Sequence, residues 1–159
     1  MNLNNFEDFL SEWITNLDVD YKLGQGRGCP FAKPAKEKNR LKTVKVSDYS
    51  NSYQYWSVVS SECESFDFAN NDITIVVSSS NPTIISEQQL GGAVDCLNSF
   101  LSIQKKNLWM AWVYSQWFTI VLINPLTGLD DSAKILEEKG YYSNDDMYIS
   151  MRRKMRELL

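Results

Sequence analysis

The sequence predicts an α/β fold (α+β in the looser sense): a single layered sandwich of helices on a mixed sheet of about four strands, spanning residues 1–159 as one globular domain. Three observations carry that expectation. Segments with apolar residues at helical spacing alternate with short strand-like runs, in the order helix, strand, helix, strand, helix, strand, strand, helix, helix. The run Ile73-Thr74-Ile75-Val76-Val77 has the β-branched content of a buried strand. Hydrophobic residues make up 43% of the 159, enough for a core that needs no disulfide or metal staple.

Each element has its own signal. Phe6, Phe9, Leu10, Trp13, Ile14 and Leu17 follow Asn4-Asn5, which can cap, and predict an amphipathic helix over 5–17. A glycine loop ends that region. Leu41, Val44 and Val46 read as a short strand, and Ser52 then caps a helix that turns Tyr55, Val59, Cys63 and Phe66 to one side. The strand at 73–77 breaks at Ser78-Ser79-Ser80-Asn81-Pro82. Ser86 with Gln89 is a capping-box signature for a helix that buries Leu90, Val94, Leu97 and Leu101 and runs to Lys105, with Gly91-Gly92 weakening its first turn.

Two strands, 109–114 and 117–123, are joined tightly enough to require an antiparallel hairpin, and their apolar faces place it centrally in the sheet or against a partner. Asn124-Pro125 and Gly128 form the exit loop. Asp130 or Asp131 caps a helix ending at Lys139, with Gly140 as a left-handed C-cap. A last helix carries Met147, Met151, Met155 and Leu158, and its terminal Arg152, Arg153, Lys154 and Arg156 suit the helix dipole. Right-handed crossovers orient the first three strands alike and the fourth against them.

Composition excludes several function classes. There is no histidine, so Ser-His-Asp and Cys-His catalysis, imidazole acid-base chemistry and His-ligated zinc are absent. Cys29, Cys63 and Cys96 are odd in number and widely spaced, which argues against a disulfide framework and for a reducing, cytoplasmic setting. A three-cysteine metal site would need them to converge, whereas two of them are expected on core-facing stripes of different helices. The first twenty residues hold five acids and no lysine or arginine, so no ordinary targeting leader is expected. The apolar stretch 108–123 is too short to span a bilayer and is interrupted by Ser115-Gln116. No membrane role is expected.

Charge is distributed unevenly. Arg27, Lys33, Lys36, Lys38, Arg40, Lys42 and Lys45 face the lone Glu37 in sequence, inside a chain of net charge −4. Such asymmetry fits an anion site on an acidic surface, or a solvated loop, and it disfavours unspecific nucleic-acid binding. The same region holds Gly24-Gln25-Gly26-Arg27-Gly28-Cys29-Pro30, where Cys29 at an N-cap and Pro30 at the first helical position would favour a thiolate or a bound anion. The glycine spacing matches neither the dinucleotide nor the Walker pattern. Pro34 limits any such helix to about one turn. Alternatively, Cys29 and Phe31 pack beneath the loop as ordinary core.

Two further features are open. Trp109, Trp112, Tyr114, Trp117 and Phe118 crowd the hairpin, as a stacking surface for a base or peptide or as plain core. The Ser78–Pro82 loop follows a strand end of the kind where α/β folds place ligands, and its hydroxyls could share a cleft with the Cys29 loop.

Gly28-Cys29-Pro30-Phe31-Ala32-Lys33, preceded by a helix with Phe9, Leu10, Trp13 and Ile14, resembles the opening of the uncharacterised CPFA-motif proteins of bacteria and plastids and of shorter marine phage-type relatives. The resemblance covers residues 6–35. It directs interest to Cys29 and implies no particular reaction; a Gly-Arg-Gly lead-in and the lack of a later His-Pro element are departures from the family pattern.

Two functions from different classes follow. The favoured one is a non-enzymatic binding protein whose loop 24–40, through Gly26, Arg27, Gly28, Lys33 and Arg40, takes a small anionic ligand or an acidic protein surface. The alternative is a thiol-dependent enzyme or redox protein with Cys29 as its catalytic residue. Neither requires a cofactor, and the apolar hairpin is compatible with a homodimer.

Overall fold

A computed structural model describes residues 32–46, 52–78, 86–114, 119–140 and 143–159. Among these residues the elements are α1 (Ala32–Glu37), β1 (Leu41–Val46), α2 (Ser52–Glu64), β2 (Ile73–Ser78), α3 (Glu87–Ile103), β3 (Leu108–Tyr114), β4 (Thr119–Pro125), α4 (Leu126–Glu138) and α5 (Asp146–Leu158). The helix expected over 5–17, the loop 24–31 and the turn at Asn81-Pro82 lie outside the described residues.

The strands form one mixed sheet in the order β1-β2-β4-β3, so the chain has the α/β fold expected of it. β1 and β2 pair in parallel from Leu41↔Ile73 to Val46↔Ser78, while β4 runs antiparallel to both β2 and β3. The first three strands therefore point one way and the fourth the other, as expected. Of the hairpin expected centrally in the sheet or against a partner, β4 is interior and β3 lies at one edge of the described strands.

Strand alternation sorts the core into two layers. Val76, Val121, Ile123, Leu108 and Met110 face α2 and α3, meeting Tyr55, Val59, Cys63, Phe66, Leu90, Val94 and Leu101. The α2 stripe is the one its spacing predicts. On the opposite face Trp109 packs with Leu126, Leu129, Met151 and Met155 of α4 and α5. Helices thus cover both sides of the sheet.

The capping box opens α3 as expected, with the Ser86 hydroxyl accepting from the Gln89 N–H at 3.2 Å and the Gln89 side chain accepting from the Ser86 N–H at 3.0 Å. Gly91 has a packing reason that sequence spacing does not reveal: a Cβ there would lie 3.2 Å from the Trp112 indole. Asn98, at the buried face of α3, clamps the outer edge of β3. Its amide donates to the Met110 carbonyl at 3.0 Å and its oxygen accepts from the Met110 N–H at 2.8 Å. One side chain therefore completes two backbone bonds that an edge strand would leave open.

Several expectations need correction. α4 starts at Leu126, directly after β4, so Asn124, Pro125 and Gly128 form no loop and neither Asp130 nor Asp131 caps the helix. Burial of Leu126 and Leu129 against Trp109, with the Leu126 N–H donating to the Asn107 carbonyl at 2.9 Å, draws the helix back to the strand end. Cys96 is exposed, which removes it from any core-facing stripe. α1 continues through Pro34, because a proline in the first turn sacrifices no intrahelical N–H bond. Gly140 does supply the left-handed C-cap, at φ 80°.

Arg152 also departs from expectation. Rather than only complementing the end of α5, it is buried and spans to α4, donating to Asp130 at 2.8 Å and Glu137 at 2.6 Å. Lys134 adds a 2.9 Å pair to Asp130. The hydrogen bond from Arg152, then that from Lys134, holds the Asp130 carboxyl below the usual carboxylate range.

Two outcomes are expected. Asn98→Leu, which strands both Met110 backbone groups, lowers unfolding stability in urea by about 2 kcal/mol. Asp130→Asn lowers stability by about 2 kcal/mol at pH 7, since it leaves a buried guanidinium underpaired. Because the folded pKa of Asp130 is depressed, its contribution is complete above the ordinary carboxylate value of about 3.9 and lost as pH falls through the folded value. Acid titration of stability is accordingly shallower in Asp130→Asn than in the parent.

Candidate functional site

The basic stretch begins on α1 and continues along β1. α1 closes with the Lys38 N–H donating to the Pro34 carbonyl at 3.1 Å, and Asn39 turns the chain at φ 57°. The Arg40 N–H then donates to the Ala35 carbonyl at 2.7 Å, which sets the helix end against the start of the strand. Position and side-chain role are therefore decided together for Arg40.

Its guanidinium is taken up within the fold. Nε donates to the Asp72 carboxylate at 2.8 Å, and Nη1 to the Ala69 carbonyl at 2.9 Å. The Arg40 carbonyl accepts from the Asp72 N–H at 2.8 Å. Arg40 thus ties the turn before β2 to the head of β1. That turn is preformed by Asp67, whose carboxylate accepts from the Asn70 side chain at 2.7 Å and from the Ala69 and Asn70 N–H groups. The Asn70 side-chain bond, above all, lowers the pKa of Asp67.

Lys42 reaches from β1 to α2, pairing with Glu62 at 2.8 Å. Lys36, Lys38, Lys42 and Lys45 are all exposed. Lysines on β1 also suit its place at the edge of the described sheet, where charge discourages pairing with a further strand. Gly26, Arg27, Gly28 and Cys29 lie outside the described residues, and Lys33 is described only as part of the α1 backbone.

At the other end of the sheet, Ser78 closes β2 and lies opposite Thr119 of β4. Both are fully buried, and the Thr119 hydroxyl makes no hydrogen bond among the described residues. Arg40 precedes the first pair of the β1–β2 ladder, whereas Ser78 belongs to its last. Six residue steps of strand separate them by roughly 20 Å. Arg40 and Ser78 do not share a cleft.

The aromatic cluster is divided by the pleat. Trp109 is buried beneath α4 and α5, while Trp112 and Tyr114 pack half-buried against the α2–α3 side. These three do not form one stacking surface; Trp117 and Phe118 lie outside the described residues. Tyr55 is enclosed in the core and donates to the Val76 carbonyl at 3.0 Å. The residues that sequence reasoning missed, Asn98 and Arg152, are structural, and their signal was a polar residue on an otherwise apolar stripe.

The thiols differ in environment. Cys63 is buried beside the Met110 sulfur at 3.9 Å, and burial, reinforced by Glu62 and Glu64, pushes its pKa up to about 12. Both causes disfavour its thiolate form. Among the described residues no group of three or more Cys, Asp or Glu side chains is arranged to hold a metal, and no helix is long and apolar enough to cross a membrane. No family model, curated protein or solved structure matches the chain.

Cys63 is expected to resist iodoacetamide at pH 8, where burial disfavours its thiolate, and to become labelled when denaturant opens the core. Mass spectrometry of each cysteine peptide measures this directly.

Proposed function

We propose that the chain is a binding protein that presents the basic stretch 24–40, continued along β1, to a small anionic ligand or an acidic protein surface. The observation that carries this reading is the exposure of Lys36, Lys38 and Lys45 along α1 and the edge strand, in a chain of net charge −4. Residues 32–45 hold six basic side chains, against three acidic ones even when Asp72 and Glu62 are counted with Glu37. A local excess of this kind attracts anions over a Debye length, while the acidic remainder repels polyanions at large. The resemblance of Gly28–Lys33 to the CPFA-motif proteins directs attention to the same stretch.

In this reading Arg40 is a positioning residue. It fixes the end of α1 against β1, and so the direction in which the preceding lysines project. A cytoplasmic setting and a homodimeric state belong to the same proposal, the former resting on the unpaired number of cysteines.

Titration of the full chain with pyrophosphate, and separately with a fluorescent polyglutamate peptide, tests the proposal. Binding of one probe is expected, weakening at least about tenfold between about 50 and 300 mM salt. Arg27→Ala/Lys33→Ala/Lys38→Ala, which leaves the Arg40 clamp intact, is expected to abolish it. Binding that survives the triple substitution, or no binding of either probe, would overturn the reading.

A further inference from the structure

β1 and β3 bound the described sheet, and the two edges are treated unequally. Asn98 closes the outer side of β3 at Met110. Among the described residues no strand pairs with the outer side of β1. Alternate residues of a strand direct N–H and C=O away from its neighbour, so about half of the backbone groups of Leu41–Val46 face outward. Such a row is a template for a further strand.

The two faces of β1 define what strand fits. Val44 and Val46 lie at the margin of the core shared with α2, and both stay half-buried. Lys42 alternates onto that same face, where Glu62 of α2 pairs with it at 2.8 Å. Thr43 and Lys45 point to the opposite face and are exposed. A neighbouring strand with apolar side chains beside Val44 and Val46, and carboxylates beside Thr43 and Lys45, matches both faces at once. Its sequence reads alternately apolar and acidic.

Charge selects this occupant over a second copy and over a lone anion. Two β1 strands side by side would crowd like charges, with no acid on either strand to offset them, whereas opposite charges across a pair stabilise it. Lys38 precedes the turn at Asn39, and Lys45 lies near the far end of β1, five residue steps or roughly 17 Å beyond Arg40. A single phosphate-sized ion cannot bridge that length. An extended acidic segment follows it.

We propose that the outer edge of β1 is a docking surface for an extended segment of a partner protein, alternately apolar and acidic, which joins the sheet as a further strand. The inference rests on the binding reading above and specifies its partner.

Fluorescence anisotropy of the full chain with a labelled heptapeptide of alternating glutamate and valine tests it. The peptide is expected to bind at least about tenfold more tightly than its form N-methylated at three central amides, and than a peptide of the same composition with its glutamates in one block. Hydrogen exchange read by mass spectrometry is expected to slow across 41–46 on binding and to stay unchanged in β3. Lys45→Glu, with the circular dichroism of the parent, is expected to weaken the peptide about fivefold and to favour a lysine–valine counterpart. Equal binding of the three glutamate peptides, or binding of pyrophosphate without any peptide, would overturn strand addition and leave the binding reading standing. No binding of any probe would overturn both. Amides of 41–46 that are already protected in the free chain and unchanged by the peptide would put another segment of this chain on the edge, and would overturn the proposal alone.

Discussion

Burial of β2 and β4 on both faces is the constraint on which the rest of the structure depends. All six residues of β2 and six of the seven in β4 are removed from solvent, so both sides of the sheet must be roofed. α2 and α3 cover one side, and α4 and α5 the other. Double burial also governs the polar groups that fall inside. The Asn124 amide turns back to the Leu122 carbonyl at 3.2 Å and the Tyr55 hydroxyl finds the Val76 carbonyl, each offsetting the cost of burying a polar group.

The edges of the sheet are treated differently. β3 is closed in part by a side chain, with Asn98 supplying both a donor and an acceptor to Met110. β1 is instead guarded by charge, through Lys42 and Lys45. Arginines likewise serve as struts between elements. Arg40 joins the turn before β2 to the start of β1, and Arg152 joins α5 to α4. Each is matched by carboxylates from another segment, so its positive charge stabilises a tertiary contact. Charge among the described residues therefore includes buried or part-buried struts such as Arg40 and Arg152, and exposed lysines along α1 and β1.

Much of the fold was legible in sequence. Period and composition identified α2, β2, α3 and the hairpin, and Ser86 with Gln89 marked a helix start that the hydrogen bonds reproduce. Local rules worked there because local and tertiary preferences agree. They failed at α4, where Asp130 looked like a cap but lies inside the helix, bonded to Arg152. A carboxylate near a helix start has one local use and many distant ones. The candidate site was less legible: the count of lysines was plain, but Arg40 could not be told from its neighbours until Asp72 stood beside it.

By itself the sequence determined the alternation of helices and strands, the apolar stripes, the absence of imidazole chemistry and the concentration of positive charge between Arg27 and Lys45. These follow from side-chain type and spacing, which act within a few residues. Only the tertiary structure decided that β4 and not β3 is interior, that burial disfavours the Cys63 thiolate, that Gly91 makes room for Trp112, and that Arg40 and Ser78 stand at opposite ends of the sheet. Each depends on groups brought together from far along the chain, and burial, pairing and steric fit are properties of that meeting.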